Sequence, residues 1–160
     1  MRIYLGADHA GFELKEVIKT WLEKNGHEVK DFGAHKYNEK DDYPDFIFPV
    51  AKAVARSRNK SGMTVLFGKI RLAEVRGIVL GGSGQGEAMI CNRFKGVRAA
   101  VYYGAKKDIV TLSREHNDAN VLSLGARFLT KKEALWAVEK WLDTKFAGEV
   151  RHQRRIAKIG

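Results

Sequence analysis

Cysteine is nearly absent: Cys91 is the single one in 160 residues, which excludes an intrachain disulfide and any cysteine-based metal cluster. That usage suits a reducing compartment. Long apolar runs are missing as well. Apolar stretches such as 77–81 and 97–101 fall far short of the roughly 20 residues that span a bilayer. The opening MRIYLGADHAG carries neither the apolar region nor the small-residue cleavage signature of a secretory signal, so a cytoplasmic protein with no membrane partner is expected. Acidic residues are few against basic ones. The 29 Lys and Arg face 19 Asp and Glu, a formal charge of +10. The excess favours attraction to phosphate, whether in nucleic acid, at a membrane surface or on a small metabolite, and ordinary solubilising charge is the plainer alternative. Internal repeats and low-complexity linkers are also missing.

The length and a 44% hydrophobic content suit one α/β domain over residues 1–160, with a real core and little room for a second. Residues 2–6 read as a strand, and Phe12, Val17, Ile18, Trp21 and Leu22 then recur at helical spacing until Gly26. A strand over His27–Phe32, a polar loop from Ala34 to Asp42 and an amphipathic helix over Asp45–Arg56 follow. In 57–76, SRNKSG is turn-like and basic, while MTVLF and KIRLAEVR fit a short hairpin or an extra strand and turn. Residues 77–80 form a buried strand, and a helix beginning near Gln85 should carry Met89 and Ile90 inward. Then come a strand over Val97–Val101, a helix over 105–115, a strand over Val121–Leu124 and a helix over Lys131–Phe146 that turns Leu135, Val138, Trp141 and Leu142 toward the protein. Trp21, Trp136 and Trp141 read as packing residues. The last residues, 149–160, are a basic segment that serves as a solvated tail or as a phosphate grip. Strands alternating with helices favour a mostly parallel sheet covered by helices.

Three loops carry side chains suited to chemistry. Asp8 and His9 follow the first strand, where the carboxyl ends of parallel strands assemble ligand sites; an N-cap by Asp8 and an exposed His9 explain them equally well. In Gly81-Gly82-Ser83-Gly84-Gln85-Gly86-Glu87 the glycines permit tight turns and bring backbone N–H groups close to an anionic oxygen, Ser83 offers a hydroxyl, and Glu87 a titratable carboxylate. The alternative is a tight strand-to-helix connection that Glu87 caps. The segment is neither a P-loop nor a G-x-S-x-G elbow. Ser113 to Asn120 places His116 and Asn117 before a strand, from which they are expected to reach the same rim as Asp8 and Glu87. Glutamate and histidine suit proton transfer between carbons near neutral pH, and a carboxylate raised by desolvation makes the better base. No HExxH or other specific metal-ligand signature occurs, so neither a metal nor a cofactor is expected.

These segments together make the chain recognisable. Gly6-Ala7-Asp8-His9-Ala10-Gly11-Phe12-Glu13-Leu14-Lys15, Asp42-Tyr43-Pro44-Asp45, the Gly/Ser loop, SREHNDANVL and RHQRRI occur in that order. Over most of residues 1–159 the chain resembles the type B ribose-5-phosphate isomerase family and the related galactose-6-phosphate isomerase subunits. The resemblance implies a doubly wound, Rossmann-like α/β fold with helices on both faces of the sheet. It also implies a homodimer with active sites shared at the subunit boundary, or a tetramer built from it, and reversible aldose–ketose isomerisation of a phosphosugar without a metal. The family's base is a cysteine at the end of the central strand or a glutamate just after the glycine-rich loop. This chain has Gly81 at the cysteine position, so the resemblance assigns the base to Glu87 and not to Cys91.

By the same comparison Asp8 and Ser83 resemble sugar-positioning residues, and Tyr43 should lie close to the sugar. His116 resembles the group that assists furanose opening. Asn117 with the amides around Gly82, Gly84 and Gly86 resembles an oxyanion cradle, and His9, Arg127, Arg151 and Arg155 resemble phosphate ligands, the last two from the neighbouring subunit. One departure is a longer link between the second helix and the central strand, across Lys60 to Arg76. The expected reaction interconverts ribose 5-phosphate and ribulose 5-phosphate through an enediolate. The alternatives are another pentose or hexose phosphate, or, in a different class, a basic nucleic-acid-binding protein on the same fold.

Overall fold

The computed structural model describes residues 1–60 and 74–159. Its elements are β1 (Arg2–Ala7), α1 (Phe12–Lys24), β2 (Glu28–Asp31), α2 (Tyr43–Lys60), β3 (Val75–Gly81), α3 (Gln85–Cys91), β4 (Ala99–Tyr102), α4 (Asp108–Glu115), β5 (Val121–Gly125), α5 (Lys131–Asp143) and α6 (Val150–Ile159). The strands pair in the order β2-β1-β3-β5-β4, all parallel. Most of the strand and turn expected within 57–76 lies outside the described residues, while Val75 and Arg76 already belong to β3.

The central strands are apolar almost throughout because both sheet faces are covered. In β1, Ile3, Leu5 and Ala7 point to one face with Leu14, Ile18 and Leu22 of α1, Val110 of α4, and Val138, Trp141 and Leu142 of α5. Tyr4 points to the other face with Ile47, Val50 and Val54 of α2 and with Ile90 and Cys91 of α3. This period of two within a strand feeds two cores, each fully buried Leu or Ile contributing roughly 1.5–3 kcal/mol. At the start of α5, Thr130 and Glu133 cap each other reciprocally: Thr130 Oγ1 accepts from Glu133 N–H (3.2 Å) and Glu133 Oε2 accepts from Thr130 N–H (2.9 Å).

Three expectations need correction. Met89 is 67% exposed, whereas Ile90 is buried; on a helix as short as α3 only one narrow side faces the sheet, and Met89 falls outside it. The helix expected over Lys131–Phe146 ends at Asp143. The basic segment is not a tail but the helix α6, with His152 as its buried residue. Its periodic signal lies in the cations, since Arg151, Arg154, Arg155 and Lys158 recur at helical spacing on one side, while few apolar residues mark the other. Among the described residues no helix is long and apolar enough to cross a membrane.

Buried charges pin the sheet's edges. The Lys15 side chain is fully buried and donates to Asp31 (2.7 Å) and Glu16 (2.6 Å). Burial raises the Asp31 carboxyl, but Lys15, the Gly33 amide and Lys19 outweigh it and hold it below the ordinary carboxylate value. At the other end Arg76 donates to the carbonyls of Trp141 (2.9 Å) and Leu142 (3.2 Å), closing the last turn of α5. Removing Asp31 strands a buried ammonium on Glu16 alone. Asp31→Ala should therefore lose about 3 kcal/mol in urea unfolding, while the pair Lys15→Met with Asp31→Leu should recover most of that loss.

Candidate active site

The chain leaves β1 toward β2 on one side and returns as β3 on the other. The loops after β1 and β3 therefore part and open a crevice at the carboxyl edge of the sheet. A cavity of about 400 Å³ lies there. Of the expected residues, Asp8, Tyr43, Gly82, Ser83, Gly86, Glu87 and Arg127 line it; Ala10 and Phe128 also line it and carried no sequence signal.

The glycine-rich loop is held from β5. Ser123 Oγ donates to the Gly84 carbonyl (2.6 Å), and the amides of Ala126 and Arg127 donate to the carbonyls of Gly81 (2.8 Å) and Gly82 (3.1 Å). Gly84 has φ +77°, a left-handed conformation that turns the chain into α3 without a Cβ penalty. Ser83 Oγ accepts from the Gln85 amide (3.3 Å) and faces the cavity. The Tyr43 ring, at the start of α2, rests on Gly86, where a Cβ would come within 2.8 Å of its hydroxyl.

Glu87 is 4% exposed, yet it lines the cavity. Its carboxylate fills the space beside Gly81, and a Cβ added there would fall on Glu87 Oε1 and Cδ. A side chain at 81 and a carboxylate in this position are mutually exclusive. Burial raises the Glu87 carboxyl above its ordinary value; its own amide partly offsets this, and the nearby Asp8 charge adds to it. Cys91, one turn further along α3, is pushed up to about 12, by burial first and then by Glu87, so its thiol is inert at neutral pH.

Asp8 is not the N-cap of α1, a place taken by Gly11 without a side-chain cap. Asp8 Oδ1 accepts from the Gly11 amide (3.1 Å) ahead of α1, and its side chain also lines the cavity. His9 is held by Asp41, which the sequence did not single out: Asp41 Oδ1 lies 2.6 Å from His9 Nδ1 and accepts from the His9 amide (3.2 Å). Asp8, His9 and Asp41 bring one donor atom each within 4.8 Å of one another. Oδ1 of each aspartate is already engaged, by Gly11 and by His9 respectively.

His116 and Asn117 do not share this rim. They enter β5, whose Val121 lies level with Gly77, whereas the cavity loop leaves β3 at Gly81, level with Gly125. In a parallel sheet the residues before a strand and those after it sit at opposite edges, here about 13 Å of strand apart. His116 instead stacks on His152, with ring centroids 4.4 Å apart and planes at 12°. Arg151 and Arg155 lie on the same helix as His152. Two arginines that the sequence reading passed over brace the turn: Arg98 donates to the Asn117 and Asp118 carbonyls (2.8 Å each), and Arg114 to Asp118 Oδ1 (2.8 Å). The chain thus carries two clusters, the cavity at one edge of the sheet and a histidine–arginine group at the other.

Comparison with known proteins agrees with the architecture. Residues 3–159 match the family model described as Ribose/Galactose Isomerase. The chain is 40% identical over 156 residues to a ribose-5-phosphate isomerase B of Mycolicibacterium paratuberculosis, covering 98% of this chain and 87% of that protein. The crystal structure of ribose-5-phosphate isomerase B from Mycoplasma genitalium with bound ribulose-5-phosphate superposes with a TM-score of 0.85 at 36% identity, covering 99% of this chain and 93% of that one. The Clostridium thermocellum enzyme superposes with a TM-score of 0.84 at 42% identity, covering 100% and 95%.

A carboxyl whose folded value is raised weakens the fold once it ionises. Its favourable contribution is present below the unfolded value and is lost as pH rises through the folded one. Glu87→Gln should therefore melt above the wild type at pH 7.5, and the difference should vanish in thermal scans below pH 4.5, the group's ordinary value.

Proposed function

The chain belongs to the ribose/galactose isomerase family, and from that premise we propose that it interconverts ribose 5-phosphate and ribulose 5-phosphate with Glu87 as the base. The observation that carries the reading is a buried carboxylate, raised by its surroundings, at the wall of an open polar cavity. A base must be ionised to accept a proton and basic enough to hold it, and desolvation moves a carboxyl toward that compromise. Glu87 takes the C2 proton of the open aldose. The C2–H electrons form the C1–C2 double bond, and the carbonyl electrons move to O1 as an enediolate. Glu87 returns its proton to C1, the O2 hydroxyl proton passes to O1, and C2 becomes the carbonyl.

Around this step Asp8 and Ser83 receive the sugar hydroxyls, Tyr43 borders the sugar, and the amides of the Gly82–Gly86 loop stabilise the oxygen that gains charge. Arg127 and His9 offer charge to the phosphate. His116, Asn117, Arg151 and Arg155 lie at the far edge of the same chain, so they complete the site only if a second copy supplies them. That is the physical argument for a homodimer with two shared active sites, which a tetramer would repeat. The +10 charge then belongs to anion capture. The reaction is placed in the cytoplasm, since a phosphorylated sugar does not cross a bilayer unaided. A galactose-type hexose phosphate is the second reading, favoured by the breadth of the matched family.

Assays of the purified protein on pentose and hexose phosphates separate the two substrates, and turnover of none of them overturns the isomerase reading. Glu87→Gln should lower kcat by about 10²- to 10⁴-fold without unfolding the protein, and the acid limb of wild-type kcat/KM should lie above pH 4.5. Near-normal turnover by the variant removes Glu87 from the base role. Mixing Glu87→Gln with His116→Ala subunits, each impaired alone on ribose 5-phosphate, should restore about a quarter of wild-type activity on that sugar through heterodimers with one intact site; additive residual rates would argue for sites within single subunits.

A further inference from the structure

The helix α6 meets the protein through an unusual contact. His152 is 4% exposed on a helix whose other residues are exposed or half-buried, and its imidazole lies flat against that of His116 at 4.4 Å and 12°. Hydrogen bonding does not explain the placement: His152 Nε2 is buried with no hydrogen-bond partner among the described residues, and Glu149 Oε2 stands 3.8 Å away. What holds the two rings parallel is the stack. The turn that follows His116 is braced by Arg98 and Arg114. The two residues after His116 are thus held by arginines, and its ring lies flat on His152.

We propose that His152 is a positioning residue for His116, a flat wall that fixes the imidazole plane so that it can act on the ring oxygen of a furanose held by the neighbouring subunit. This rests on the isomerase reading above and deepens it. Proton transfer to or from a ring oxygen needs the imidazole nitrogen in line, and small misplacements cost large factors in rate. The wall also works best uncharged, because two stacked imidazolium rings repel. Burial holds the His152 basicity down, and the neighbouring His116, Arg151 and Arg155 lower it further against the opposing pull of Glu149.

The two reaction directions provide the test. An aldose 5-phosphate is mostly a closed furanose and must be opened. The matching ketose cannot close a five-membered ring, because its C5 oxygen carries the phosphate, so it enters as the open chain. His152→Ala should lower turnover of ribose 5-phosphate by about tenfold or more while initial rates from ribulose 5-phosphate stay within about threefold of wild type. His152→Phe, which keeps a flat ring, should restore the aldose direction to within about threefold. His116→Ala sets the size of the full effect. Equal losses in both directions, or none in either, overturn the proposal, since a merely structural role has no reason to distinguish open from closed sugar. If His152→Ala melts below the assay temperature, His152→Leu, similar in volume but without a flat face, carries the same expectations. Wild type inactive in both directions would defeat the isomerase reading itself. Loss of both directions in Glu87→Gln, with His152→Ala unaffected, would defeat the positioning role alone.

Discussion

The carboxylate of Glu87 and the missing side chain of Gly81 occupy one another's space, and the rest of the site is arranged around that exclusion. A Cβ at 81 would fall on Glu87 Oε1. The glycine that ends β3 therefore lets the first turn of α3 fold its carboxylate back against the sheet. Burial there raises the carboxyl, and the Asp8 charge across the crevice adds to the effect. The same glycine-rich segment must turn sharply at Gly84 and accept bonds from β5, so its rigidity comes from a strand that contributes Arg127 just beyond its own end. The proposed base, its cradle and a cationic side chain for phosphate are thus three consequences of joining β3 to α3 in the least possible volume.

The opposite edge of the sheet follows a different logic. Arg76 and Arg114 are buried there, with their guanidinium groups near the Trp141 ring and on carbonyls at the ends of helices and strands. Desolvation lowers Arg114, the nearby Arg76 charge adds to that, and Asp118 and Glu74 compensate. Such a network contributes little net stability over an apolar core, but it fixes the turn at 116–119 in one geometry. The proposed role of His116 across a subunit boundary needs that kind of support. The protein therefore keeps an open cavity at one edge and a braced, cationic turn at the other.

Much of this was legible in the residues. The strand-helix alternation, the buried strand 77–80, the Gly/Ser loop and the roster of polar side chains follow from local patterning, because periodicity and turn chemistry are properties of neighbours along the chain. Sequence also showed that Cys91 stood outside the loop where a base would sit. It could not show why: the thiol at about 12 is a product of burial beside Glu87. Asp41 was passed over because it sits in a polar loop with nothing periodic about it, and α6 because its helical spacing is written in cations rather than in apolar residues.

What the sequence by itself determined was the set of chemical groups and the parallel α/β alternation, since both depend on short stretches of chain. Only the tertiary structure decided which groups meet. It put Asp8, Ser83 and Glu87 in one cavity and sent His116 and Asn117 to the other edge, contrary to the expectation of a shared rim. The reason is directional: in a parallel sheet every strand begins at one edge and ends at the other. Whether a residue precedes or follows its strand therefore sets its edge, and a site that needs both kinds needs a second chain.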